Sequence, residues 1–188
     1  SAVMTLTDRA VWVRPGQSGL GARLSCAMAY PSVIRHGAAD SASRTSGVLE
    51  LAEYFSAHPL SHPILFMTFC GEARGRLGSQ ALVQGDVAPT ERIMAMINLD
   101  MIGRLDEDRL FIGGLGTAEE LHTLLDPMFE ESSFDLELDD RGEAPSDNTN
   151  FFHAGVPALF FFTNIHDDYH MPGDDADKIN YQGEVKIL

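Results

Sequence analysis

The chain has 188 residues, 44% of them hydrophobic, enough for one domain that buries roughly 70% of its unfolded surface around a single core. Its 28 acidic residues outweigh 13 basic ones for a formal charge of -15, so a phosphate backbone or an anionic membrane surface would repel it, and no nucleic-acid partner is expected. The longest apolar runs, "ILFMTF" and "ALFFF", are too short to cross a bilayer. Ser1 opens no leader of the secretory kind, so the chain is expected to be soluble as made or after removal of a leader.

Four nearly continuous apolar runs bounded by Gly, Pro or charge read as strands buried on both faces: "RLSCAMAY" (23–30), "PILFMTFC" (63–70), "RIMAMINLDMIG" (92–103) and "VPALFFFT" (156–163). Between the first two, Val48, Leu51, Ala52 and Phe55 repeat at i, i+3, i+4, i+7 and predict a helix. A second helix is expected from Thr117, capped by a box with Glu120, burying Leu121, Leu124, Leu125 and Met128. The stretch 130–148 reads as a solvated acidic connection holding one short strand, and "GGLGT" (113–117) as a turn rather than an anion cradle. Cys26 and Cys70 have no metal spacing; buried thiols are expected, with a single bridge left open.

Strands alternating with helices predict an α/β fold, a three-layer sandwich with a mostly parallel central sheet flanked by helices. Ligands in such folds sit where the carboxyl ends of strands open into loops. Glu72, Asp100 and the loop "NIHDDYHMPGDDADKIN" (164–180) follow three of the runs and are the residues to examine.

Read together, "HGAADSASRTSGVLELAEYF", "FCGEARGRLGS", "INLDMIGR", "SDNTNFFHAGVPALFFFT" and "DDYHMPGDDADKIN" resemble, in order, segments of the family-28 metallopeptidases, the zinc aminopeptidases and glutamate carboxypeptidases. The resemblance implies two zinc ions held by two His and three carboxylates, and a glutamate that takes the proton from a metal-bound water. Carried over residue by residue, it makes Glu72 the general base and Asp100 and His170 metal ligands, and puts alanine at three ligand positions, Ala29, Ala39 and Ala73. A zinc site needs three or four protein ligands. Without the metal, the water to be activated keeps a pKa of about 15.7 instead of about 7. The expectation is therefore no cofactor, a relict base and two relict ligands.

Arg44 stands where the family has glycine, and Arg35 lies just ahead of the same segment. Either arginine, placed in the cleft, would replace the metal as counter-charge to Glu72 or Asp100. Substitute ligands from His36, Asp40, Asp147, His153, His166, Asp167 and Asp168 would instead restore a metal. Asp40, next to the bridging position, is expected to face away from it. The leading expectation is a catalytically inactive pseudopeptidase used as a binding or structural module, with a protein partner or larger assembly, or with peptide N-termini attracted by an acidic cleft. The alternative is a metal-dependent aminopeptidase with altered zinc ligands. Family resemblance alone suggests a place outside the cytoplasm, periplasmic or secreted. The chain ends where the family's last helix begins, which suggests a piece of something larger.

Overall fold

The computed structural model describes residues 2–7, 35–85 and 89–188. Six strands form one sheet: β1 (Ala2–Thr7), β2 (Ile64–Thr68), β3 (Ile93–Asp100), β4 (Arg109–Gly113), β5 (Asp135–Asp139) and β6 (Ala158–Phe162), in the order β2-β1-β3-β6-β4-β5. The helices are α1 (Arg44–Ala57), α2 (Leu77–Val83), α3 (Glu119–Glu131), α4 (Asn148–His153) and α5 (Tyr181–Ile187).

The α/β class and the helix-flanked sheet are as expected, but the sheet is mixed, not mostly parallel. β3 runs parallel to β6 and β4 parallel to β5, whereas β1 is antiparallel to both β2 and β3, and β4 antiparallel to β6. Three of the four apolar runs become β2, β3 and β6; the run 23–30 lies outside the described residues, as do Cys26 and Ala29.

Alternation along β3 divides the core. Met96 turns to one face, with Ile93, Phe151, Val156 and Ala158, under Leu82 and Val83 of α2 and Phe152 of α4. Ile97 and Leu99 turn to the other, where Val48 and Leu51 of α1, Leu121 and Leu125 of α3 and Ile187 of α5 cover them. Helices thus shield both faces, and the polar residues at the carboxyl ends of β3 and β6 are left at one rim.

Three local expectations are corrected. The capping box does not form: α3 starts at Glu119, and the Thr117 hydroxyl donates to the Gly114 carbonyl (2.6 Å) while accepting from the Ala158 N–H (3.0 Å). This ties the 113–117 turn to β6, and Gly114, at φ 90°, has no room for a side chain because a Cβ would lie 1.9 Å from the Ala158 carbonyl oxygen. The apolar face of α3 is narrower than its sequence suggests, with Leu121 and Leu125 packed but Leu124 65% and Met128 64% exposed. Leu124→Ser is accordingly expected to change stability by less than about 0.5 kcal/mol in urea denaturation. Cys70 is a free, exposed thiol, since β2 ends at Thr68 and the chain has already turned outward.

Candidate functional site

Four segments converge at the carboxyl ends of β2, β3 and β6. An irregular turn, Ala38–Ser43, leads into α1, and Asp40 (φ -111°, ψ 87°) and Ser41 within it are not helical. Asp174 fixes this turn. Its buried carboxylate accepts the N–H groups of Ala39 and Asp40 at 3.0 Å and an Arg104 guanidinium N–H at 3.2 Å, and its carbonyl accepts from Ala38 at 3.0 Å. Arg104 also pairs with Asp168 at 3.2 Å, and Lys178 and Arg104 hold the Asp168 carboxyl below the usual range. Asp174→Asn would leave one of these donors poorly matched, at an expected cost of about 1–3 kcal/mol, measurable by denaturant unfolding.

So fixed, Asp40 faces the site, contrary to the sequence expectation. Its Oδ2 lies 2.9 Å from Nε2 of His170, and its Oδ1 accepts from Nη2 of Arg44 at 3.1 Å. Arg44 is 5% exposed, and its Nη1 donates to Oδ1 of Asp100. Asp100 in turn accepts from the Ser146 hydroxyl at 2.6 Å, and Ser146 accepts from the Asn98 amide at 2.7 Å. One chain of polar contacts therefore runs His170, Asp40, Arg44, Asp100, Ser146, Asn98, half-exposed at its His170 end and buried from Arg44 inward. Ala39, read from the sequence as the vacated bridge, is fully buried and bonded through its N–H to Asp174; the carboxylate at this point of the site belongs to the next residue.

A cation at the first position of α1 meets the positive end of the helix dipole and is disfavoured there. Arg44 is held at that end by two carboxylates, which a planar fork of donors can engage together.

Glu72 follows Gly71 in the left-handed turn after β2 (φ 69°). Among the described residues its carboxyl has no hydrogen bond or ion pair. Burial pushes its pKa up, the Asp100 charge adds to the rise, and Arg44 opposes it. A carboxyl whose folded value is raised above its ordinary 4.5 favours the folded state most while protonated. As pH climbs from the unfolded value through the raised one, ionisation erodes stability. Glu72→Gln is thus expected to stabilise the protein at neutral pH, with the gain vanishing as pH falls below the ordinary carboxyl range; pH-dependent thermal melts check this.

Ala73 and Arg35 line a small cavity of about 60 Å³ together with Asp40, Arg44, Glu72 and His170. Of the other substitute ligands, His36 pairs with Asp175, His153 with Glu143 at 2.7 Å and Asp147 with Ser79, while Asp168 serves Arg104 and Lys178. The ring nitrogens of His166 are buried and have no hydrogen-bond partner among the described residues, and its pKa is lowered by burial and by Arg104. Asp167 has no hydrogen bond or ion pair to these residues among those described. Asp40 alone of the seven joins Asp100 and His170.

As arranged, these residues do not fit a zinc ion. The guanidinium of Arg44 takes an oxygen from each of the two inward carboxylates, in the space between them where a dication would lie, and no group of three or more His, Cys, Asp or Glu among the described residues is disposed to hold a metal.

A second, larger cavity of about 370 Å³ opens from Glu72, Asp100 and Arg44 across the sheet face of β6, β4 and β5, floored by Phe111, Phe160 and Phe162 and rimmed by Glu137, Asp139 and Tyr169. Burial raises the Tyr169 phenol, with Asp40 and Glu72 adding to it. Among the described residues no helix is long and apolar enough to cross a membrane.

The fold is that of the zinc aminopeptidases. The structure superposes on BSAP, a zinc aminopeptidase from Bacillus subtilis, with a TM-score of 0.66 and 26% identity over 80% of this chain and 39% of that one. It superposes on the aminopeptidase from Aneurinibacillus sp. strain AM-1 with a TM-score of 0.62 and 27% identity over 80% and 37%. Residues 23–187 match peptidase family M28, and the chain belongs to that family. A probable zinc metalloprotease of Pyrenophora tritici-repentis is 36% identical over 97 residues, which are 47% of this chain and 22% of that relative. The matched part therefore spans less than half the length of each of these three proteins.

Proposed function

We propose that this chain is a non-hydrolysing member of the family, in which the peptidase cleft persists as a binding module and no metal is held. The buried Arg44 guanidinium, engaging Asp40 and Asp100 together, carries this reading. A fixed cation already neutralises the two carboxylates that would otherwise repel each other in a low-dielectric site, so nothing there calls for a dication. Glu72 is left beside no activated water, and its carboxyl, which has no hydrogen bond or ion pair among the described residues, is free to meet a cationic group, whose charge would offset the burial that raises its pKa. The amino terminus of a peptide is the ligand such a cleft favours. A fixed protein partner, in a larger assembly outside the cytoplasm, is the second element of the proposal, and it rests on the family alone.

The competing reading, a metal-dependent aminopeptidase with altered ligands, draws on the 2.9 Å contact between Asp40 and His170, which leaves a substitute carboxylate beside a ligand of the family pattern. Incubation with an aminoacyl chromogenic amide, with and without added zinc, separates the two. No release above the zinc-only control is expected; release that a chelator abolishes would establish the competing reading.

A further inference from the structure

The larger cavity lies on a regular part of the sheet, and strand register fixes what faces it. Asp100 on β3 pairs with Phe162 on β6, Phe162 with Phe111 on β4, and Phe111 with Glu137 on β5. Residues paired in register share a face, so one row of side chains runs acid, phenylalanine, phenylalanine, acid across four strands, about 14 Å from end to end at about 4.8 Å per strand. The next row on this face runs Asn98, Phe160, Gly113, Asp139. With no side chain at Gly113, the Phe111 ring occupies the space above it, 2.9 Å from where a Cβ would stand, and the floor becomes continuous aromatic surface: Phe111 meets Phe160 edge-on at 6.0 Å and Phe160 stacks on Phe162 at 5.5 Å.

Most of the acids around this cavity are already compensated. Arg44 engages Asp40 and Asp100, Arg141 grips Asp139 through two donors, and Glu143 lies 2.7 Å from His153. Two carboxylates stay without a hydrogen bond or ion pair among the described residues: Glu72 at the inner end and Glu137 at the outer end. Both line the cavity, with the phenylalanine floor between them.

We propose that this cleft selects peptides whose first residue is lysine or arginine, with the α-ammonium at Glu72, the methylene stem along Phe162 and Phe111, and the side-chain cation at Glu137. This rests on the reading above that the cleft binds amino termini without cutting. Long basic side chains lay their stems on apolar surface while the head seeks charge, and a cation that crosses phenylalanine faces gains from their quadrupoles as well. An aliphatic first residue would cover the floor and leave Glu137 unmet. An acidic one would be repelled from both ends.

Isothermal titration of the wild-type chain with the tripeptides Lys-Ala-Ala, norleucine-Ala-Ala and N-acetyl-Lys-Ala-Ala at low salt tests the assignment, with mass spectrometry of the recovered peptide. Lys-Ala-Ala is expected to bind at least about tenfold tighter than its norleucine isostere, a ratio equal to about 1.4 kcal/mol, and to be recovered intact. Acetylation is expected to weaken it by a similar factor, and Glu137→Gln, an exposed change that leaves the core untouched, to bring the lysine-to-norleucine ratio close to one. Equal binding of the lysine and norleucine peptides, or a ratio unmoved by Glu137→Gln, overturns the selectivity while leaving the non-cutting reading intact. No binding of any peptide overturns the assignment of the cleft to amino termini. A shortened peptide in the recovered sample overturns the non-cutting reading instead, and the lysine preference is then scored from the cleavage rates.

Discussion

Arg44→Ala is expected to destabilise the protein by about 3–5 kcal/mol, the cost of leaving buried charge without its partner. Asp40 and Asp100 would face each other across the emptied space, keeping among the described residues His170 as a side-chain partner for one and Ser146 for the other. Arg44→Lys is expected to fall between. It keeps the charge but replaces a planar fork by one ammonium, which cannot bond two carboxylates in the same geometry. Chemical denaturation of the three proteins measures this order. A loss of less than about 1 kcal/mol for Arg44→Ala would mean that the guanidinium is incidental to the site, as surface ion pairs are.

The double variant Arg44→Gly, Ala73→Glu is expected to bind zinc more tightly than the wild-type chain. Position 73 lines the same small cavity as Asp40 and His170, so a carboxylate there joins donors already in place, and removal of the guanidinium frees the inner oxygens of Asp40 and Asp100. Ligand binding to the folded state alone stabilises it by about 2.7 kcal/mol at a hundredfold excess over the dissociation constant. A zinc-dependent rise in melting temperature of the double variant, absent from wild type and from Arg44→Gly alone, is the expected pattern. An equal rise in wild type would show that Arg44 yields to the metal.

Much of the fold was legible because buried strands need unbroken apolar sequence. "PILFMTFC", "RIMAMINLDMIG" and "VPALFFFT" became β2, β3 and β6 with their boundaries shifted by a few residues. The direction of pairing was not legible. β1, Ala2–Thr7, enters between β2 and β3 antiparallel to both, and nothing in "AVMTLT" distinguishes a parallel neighbour from an antiparallel one. Thr117 and Glu120 had the spacing of a capping box, yet the Thr117 hydroxyl found a stronger tertiary use against Gly114 and Ala158, and a local motif gave way to packing.

In the site, Glu72, Asp100 and His170 could be named from their motifs, and Arg44 from its incongruity, a charged residue in place of glycine just ahead of an apolar helix face. Asp40 was misjudged because neighbouring residues point apart in a helix or a strand, and the turn Ala38–Ser43 is neither. With Ala39 and Asp40 both bonded through their N–H groups to Asp174, the backbone of the turn is set from outside by a residue 134 positions later than Asp40, which no local pattern records. The acid, phenylalanine, phenylalanine, acid row was hidden for the same reason: its four members come from four strands, and only register aligns them.

Zinc titration of wild-type protein purified without chelators, followed by elemental analysis after dialysis, bears most directly on the site. The arrangement of Arg44 between Asp40 and Asp100 predicts no saturable uptake and far less than one zinc per chain. One or two ions retained per chain, and lost in His170→Ala, would contradict it.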